Sequence, residues 1–136
     1  MECKTRNKIV QLLFISMFSL ILLTGCRSND LFGDDAENVA AIEVREYVSD
    51  ELVTTITDTS FIESLVQELE SANSASTANL DIPNPDYRLL FMDSDNMVIQ
   101  DIGYYTEKKD YGVVGRYLTS DLHLAVTTEL PIEEGE

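Results

Sequence analysis

The chain has few of the side chains from which enzymes build sites. Its 136 residues include one histidine, His123, and two cysteines, Cys3 and Cys26. A hydrolytic triad needs a base beside a nucleophile. No nucleophile motif accompanies His123, which reads as a surface or boundary residue between Leu122 and Leu124. One histidine is also too few for a zinc site built from His and Cys ligands. The glycines are sparse, and Gly103, Gly112 and Gly115 do not fall into a phosphate-cradling spacing. Bases are scarce as well: 9 Lys and Arg against 25 Asp and Glu give a net charge of −16. Nucleic acid is attracted by clustered Lys and Arg, so it is excluded as a partner. Finally, the longest apolar run, Ile9 to Leu23, is 15 residues interrupted by Gln11, Ser16 and Ser19. A membrane-spanning helix needs about 20 mostly apolar residues, so this run is short for that purpose.

What surrounds that run is more telling. Lys4, Arg6 and Lys8 precede it, and Leu23-Thr24-Gly25-Cys26 closes it. A basic segment, an apolar segment and small residues before a cysteine form the layout of an export signal. The stretch resembles the lipobox of bacterial lipoproteins, in which a peptidase cuts before the cysteine and a diacylglyceryl group is attached to its sulfur. The resemblance implies a signal peptide over 1–25, a lipidated Cys26 and a membrane partner reached through that lipid. The protein would then stand on the extracellular face of the cell membrane. Cleavage leaves 136 − 25 = 111 residues, the size of one domain, with no thiol left to pair. Removing three bases and Glu2 leaves 6 basic and 24 acidic residues, a net of −18. Such acidity serves solubility and stand-off from an anionic surface. It also permits weak binding of a divalent cation or of a basic partner.

Residues 26–38 are polar and acidic and read as a lipidated cysteine with a flexible tether. A single α+β domain is expected over 39–130. Alternation in Val39 to Val48 and in Leu52 to Thr57 predicts two strands joined at Ser49-Asp50 as a hairpin. Ser60-Phe61-Ile62-Glu63 fits a capping box. Behind it, Phe61, Ile62, Leu65, Val66, Leu69 and Ala72 form one apolar helical stripe. Ser71 to Pro85 reads as a long exposed loop, disordered or functional. Tyr87 to Met92 is apolar on both faces and predicts a central strand. The turn Asp93-Ser94-Asp95-Asn96 leads into a strand to Tyr105, Glu107 to Asp110 into a second turn, and Tyr111 to Leu118 runs back. Gly112 and Gly115 suggest a bulge or an edge there. Ser120 to Leu130 carries Leu122, Ala125, Val126 and Leu130 at helical spacing and predicts a last helix stopped by Pro131. Residues 131–136 form an acidic tail, expected to be disordered. The expected order is ββαβββα, a mainly antiparallel sheet with helices on one face.

Four features of this stretch resemble the YhfM-like lipoprotein domain of Bacillus and related Gram-positive bacteria. They are the capped helix, Pro85-Asp86-Tyr87 leading into a strand with Leu89 and Phe91, a paired strand holding Tyr104, and Tyr117-Leu118-Thr119 before a last helix. The resemblance implies a membrane-anchored extracellular protein without an assigned activity.

Asp93-Ser94-Asp95-Asn96 begins like a calcium loop, but Met97 and Val98 break the ligand pattern, and a hairpin turn is favoured. No motif implies a metal or a cofactor. The tyrosines gather in the meander. Tyr104 and Tyr105 are strand neighbours and must point to opposite faces. At least one is therefore expected to be exposed beside Lys108, Lys109 and Arg116, a candidate partner-binding patch. Ordinary cross-strand packing is the alternative for these aromatics. These observations favour a non-enzymatic binding module of the cell envelope, docking an envelope protein or ligand. A weak divalent-cation binder is the alternative.

Overall fold

The computed structural model describes residues 28–133. The apolar run, Leu23, Thr24, Gly25 and Cys26 lie outside the described residues, as do the last three residues of the tail.

Seven strands form one sheet: β1 (Ala41–Glu46), β2 (Leu52–Ile56), β3 (Ser74–Ser76), β4 (Tyr87–Met92), β5 (Val98–Asp110), β6 (Val114–Leu118) and β7 (Leu122–Leu124). Their spatial order is β2-β1-β4-β5-β6-β7-β3, and each neighbouring pair is antiparallel. Among the described residues one α-helix, α1 (Thr59–Ser71), completes an α+β domain. The hairpin β1–β2 stands where the alternation places it, and β4 lies inside the sheet, as its two apolar faces imply.

Register decides which side chains meet α1. Ile42 lies opposite Phe91, Val44 opposite Leu89, Leu89 opposite Ile102, Tyr104 opposite Tyr117, and Tyr117 opposite Leu124. Residues opposite each other in an antiparallel pair share a face. These residues therefore form one apolar face, and they cluster with Ile62, Leu65, Val66 and Leu69 of α1. Burying each of those four helical side chains is worth about 1.5–3 kcal/mol.

The cap of α1 is Asp58 rather than Ser60. Asp58 Oδ1 accepts from Phe61 N–H at 3.1 Å, while Ser60 sits inside the first turn and donates to Asp58 at 2.8 Å. A carboxylate suits this position better than a hydroxyl, because it also meets the positive end of the helix dipole. Those hydrogen bonds hold the Asp58 carboxyl below its usual range, the Phe61 N–H contributing most.

The expected tether is, from Ser28 onward, part of the domain. Ser28 Oγ donates to Glu70 Oε2 at 2.7 Å. Asn29 N–H donates to Glu70 O at 2.8 Å, and its side-chain amide donates to Leu69 O and Ala72 O at 2.8 and 2.9 Å. The last carbonyls of a helix lack intrahelical partners, and α1 has no left-handed residue at its C-cap. Asn29 supplies the missing donors. Phe32, 3% exposed, then packs its ring edge on Phe91 at 5.0 Å, ahead of a 3₁₀ turn over Gly33–Asn38.

Four further expectations are corrected. The Ser71–Pro85 stretch is not without structure: β3 pairs with β7, and Thr77 is buried with its N–H on Asp121 O at 2.9 Å. Glu107 to Asp110 continues β5, and the turn comes at Tyr111-Gly112-Val113, where Gly112 has φ +93°. The last helix is absent. Thr119 and Leu122 close a tight turn, with Thr119 N–H on Leu122 O at 2.8 Å and Leu122 N–H on Thr119 Oγ1 at 3.0 Å. β7 then joins β6, and residues 125–132 run on outside helix and strand as a strap. Val126, Thr127 and Thr128 are β-branched and favour this form over a helix. Gly115 makes the crossing possible, because a Cβ there would lie 1.9 Å from Leu124 O. Ile132, placed by sequence in the acidic tail, packs against the core.

Candidate functional site

The residues proposed as a partner-binding patch hold the fold together instead. Tyr104 and Tyr105 are 4% and 1% exposed, so the expectation that one of them faces solvent is overturned. Tyr105 OH donates to Pro83 O at 2.7 Å, and Tyr104 OH accepts from Leu130 N–H at 3.2 Å. Burial, with Tyr111 beside it, pushes the Tyr105 hydroxyl well above its usual pKa; burial does the same to Tyr117.

Arg116 is buried as well. Its Nε donates to Thr127 O at 3.0 Å, Nη1 donates to Thr106 O, and Nη2 meets Glu129 Oε1 at 3.0 Å. Tyr117 OH donates to Thr128 O at 2.8 Å, and Thr128 Oγ1 donates to Glu68 Oε2 at 2.5 Å. Arg116 and Tyr117 thus supply donors to the strap carbonyls of Thr127 and Thr128, and Arg116 also ties Thr106 O of β5 to them. Of the five residues, Lys108 is exposed and Lys109 half-buried, its ammonium 5.8 Å from the Tyr105 ring centre.

His123 is fully buried on β7 rather than exposed on a helix. Its Nε2 lies 3.2 Å from Gly115 O, its ring is 5.0 Å from that of Tyr111, and Nδ1 has no hydrogen-bond partner among the described residues. Burial lowers its pKa from 6.5, with Gly115, Val113 and Asp110 pulling weakly the other way.

A groove of about 620 Å³ opens where β6 ends and β5 continues with β4 as its only strand partner among the described residues. Gly103 lines it without a side chain, since a Cβ would fall 2.5 Å from Pro85 Cγ. Arg88, Asp101, Ser120 and Asp121 are among its polar side chains, with the amides of Asn29 and Gln100. Arg88 is already engaged: Nε and Nη2 reach Asp101 Oδ2 at 2.7 and 2.6 Å, and Nη1 reaches Asp50 at 3.3 Å. The Asp101 bond raises the guanidinium pKa further. The free edge of β5 is closed by Gln100, whose Oε1 accepts from Asp101 N–H at 3.0 Å while Nε2 donates to Leu31 O at 2.7 Å. The groove holds carboxylates and hydroxyls but neither histidine nor thiol, a set suited to binding through hydrogen bonds.

The chain matches no family model, no curated protein and no solved structure. Its chemistry is therefore read from its own residues. Among the described residues no three His, Cys, Asp or Glu side chains gather to hold a metal ion, and no helix is long and apolar enough to cross a membrane. Asp93 acts as a turn residue: its Oδ1 accepts from the N–H groups of Asp95 and Met97, both at 2.9 Å, with Asn96 at φ +62°.

Sequence reasoning passed over the β1–β2 hairpin as a surface. Val48 is 90% exposed, Leu52 53%, Tyr47 41% and Val53 39%. The available signal was the uncharged run Leu52 to Thr57 on a strand with no later partner in sequence.

Proposed function

We propose that this chain is a lipid-anchored binding module on the extracellular face of the cell membrane, of the kind that the YhfM-like resemblance implies, and that it acts without catalysis. The observation that carries the reading joins sequence to fold. The cysteine of the lipobox-like stretch precedes by two residues Ser28, whose hydroxyl is already bonded to Glu70 at the end of α1. Two residues span at most about 7 Å. A lipid on Cys26 would hold a folded domain against the bilayer with almost no intervening chain. A domain so placed meets envelope components, and its exposed hairpin and hydrogen-bonding groove are surfaces for contact rather than for bond breaking.

The test is Cys26→Ala in the full-length chain, expressed in a Gram-positive host with labelled palmitate. The wild type is expected to take up label and sediment with membranes, and the variant to do neither. A variant that still took up label would refute the anchor. Photo-activated cross-linkers at Val53 and at Ser120 then test the binding part on intact cells; adducts at neither surface would count against it.

A further inference from the structure

We infer that the free edge of β2 is a docking site for an extended strand of another protein, one that carries basic residues on both sides of a short uncharged segment. The inference rests on the binding-module reading and names its surface and its partner.

Among the described residues β2 is a terminal strand of the sheet, paired on one side only, to β1. A free edge offers unpaired backbone N–H and C=O groups to any incoming strand, and protein edges are commonly guarded by lysine, proline or inward charge. From Leu52 to Thr57 the sequence is Leu-Val-Thr-Thr-Ile-Thr, with no charge and no proline. The strand is short and irregular at one point: Val44 lies opposite Thr54 but Arg45 opposite Leu52, leaving Val53 without a cross-strand partner. That irregularity accompanies outward-facing apolar side chains, Leu52 and Val53, beside the exposed Tyr47 and Val48 of the same hairpin. Strand addition draws affinity from main-chain bonds and specificity from alternate side chains.

Charge selects the occupant. Glu51 and Asp58 bracket the uncharged run, and both are exposed. In an antiparallel pairing of β2 with a second copy that overlaps the whole run, Leu52 meets Thr57 and Glu51 meets Asp58, once at each end. Like charges directly opposite destabilise a strand pair, and each copy carries a large negative net charge. A foreign strand with Lys or Arg at those two positions turns both repulsions into attractions.

The probe is an eight-residue peptide of alternating valine and threonine with lysine at each end, titrated into the lipid-free domain at low salt. Two controls accompany it, one with glutamate at both ends and one N-methylated at alternate residues. The lysine peptide is expected to bind roughly tenfold more tightly than the glutamate peptide, since each cross-strand charge pair contributes a few-fold. N-methylation is expected to abolish binding, and Glu51→Lys to reduce the preference for lysine. Equal binding of the two charge forms, survival after N-methylation, or no binding would each overturn the inference. Concentration-dependent dimers of the wild-type domain in sedimentation, tightened by Glu51→Lys, would overturn the foreign partner in favour of a second copy. On cells, adducts at Ser120 without adducts at Val53 would remove the strand site and leave the binding-module reading in place.

Discussion

Acidification should weaken this fold through His123, by an amount that can be worked out. The imidazole is fully buried, with one nitrogen facing Gly115 O and the other unpartnered among the described residues. Desolvation outweighs the Gly115 and Val113 backbone groups and the nearby Asp110 charge, all of which favour the cation, so the folded pKa lies below the ordinary 6.5. The unfolded chain therefore binds the proton first. Stability from this group is complete well above pH 6.5 and falls as the pH drops from there toward the folded pKa. Between about pH 7.5 and about pH 5.5 the unfolded state gains up to about 1.4 kcal/mol, the limit reached if the folded imidazole takes up no proton. A domain of roughly 100 residues unfolds with an entropy of about 0.2 kcal/mol per kelvin, so Tm should fall by up to about 6 °C. The many carboxylates also respond to acid, and His123→Gln separates the two effects because it keeps a donor for Gly115 and cannot titrate. Thermal unfolding of both proteins across the window should show a wild-type deficit that grows as pH falls. Parallel pH profiles would mean that the imidazole titrates normally in the folded state, and the argument from burial would fail.

Two further outcomes test the parts of the fold that surround the proposed anchor and the strap. Phe32→Ala should cost about 3–5 kcal/mol in denaturant unfolding, as expected for a buried aromatic; a surface-like loss of a few tenths would return residues 28–38 to the status of a tether. Arg116→Met leaves Thr127 O and Thr106 O without a strong donor and should cost roughly 1–3 kcal/mol. It should also expose residues 125–132 to limited proteolysis, read by mass spectrometry, and an unchanged cleavage pattern would show that the strap is held by other contacts.

The parts of this fold that were legible in the sequence are those decided by near neighbours. The period-two runs of β1 and β2, the apolar stripe of α1 and the Asp93 turn all carry their own signal. Those that depend on distant partners were not. β3 is three small residues, Ser74 to Ser76, and exists because β7 is there to pair with it. Leu122, Leu124 and Val126 fit a strand's alternation as well as a helix's spacing, and the choice was made by β6 and by the Thr119 turn. The tyrosines suggested a binding patch because aromatic and basic residues lay together. Their hydroxyls and the Arg116 guanidinium are instead consumed by backbone groups of the strap and of the Pro83 segment, which no local pattern announces.

The contacts of the first described residues also set an order of events. Asn29 caps a helix that ends more than forty residues later, and Leu31 receives its hydrogen bond from Gln100, 69 residues away. Such closures cost more chain entropy than local ones and slow a folding reaction. In a chain that emerges N-terminus first, these residues lead the way out yet cannot dock until α1, β4 and β5 have followed. The domain therefore finishes folding at the end where it begins, and until then Phe32 and the open carbonyls of α1 are available to a chaperone or a protease.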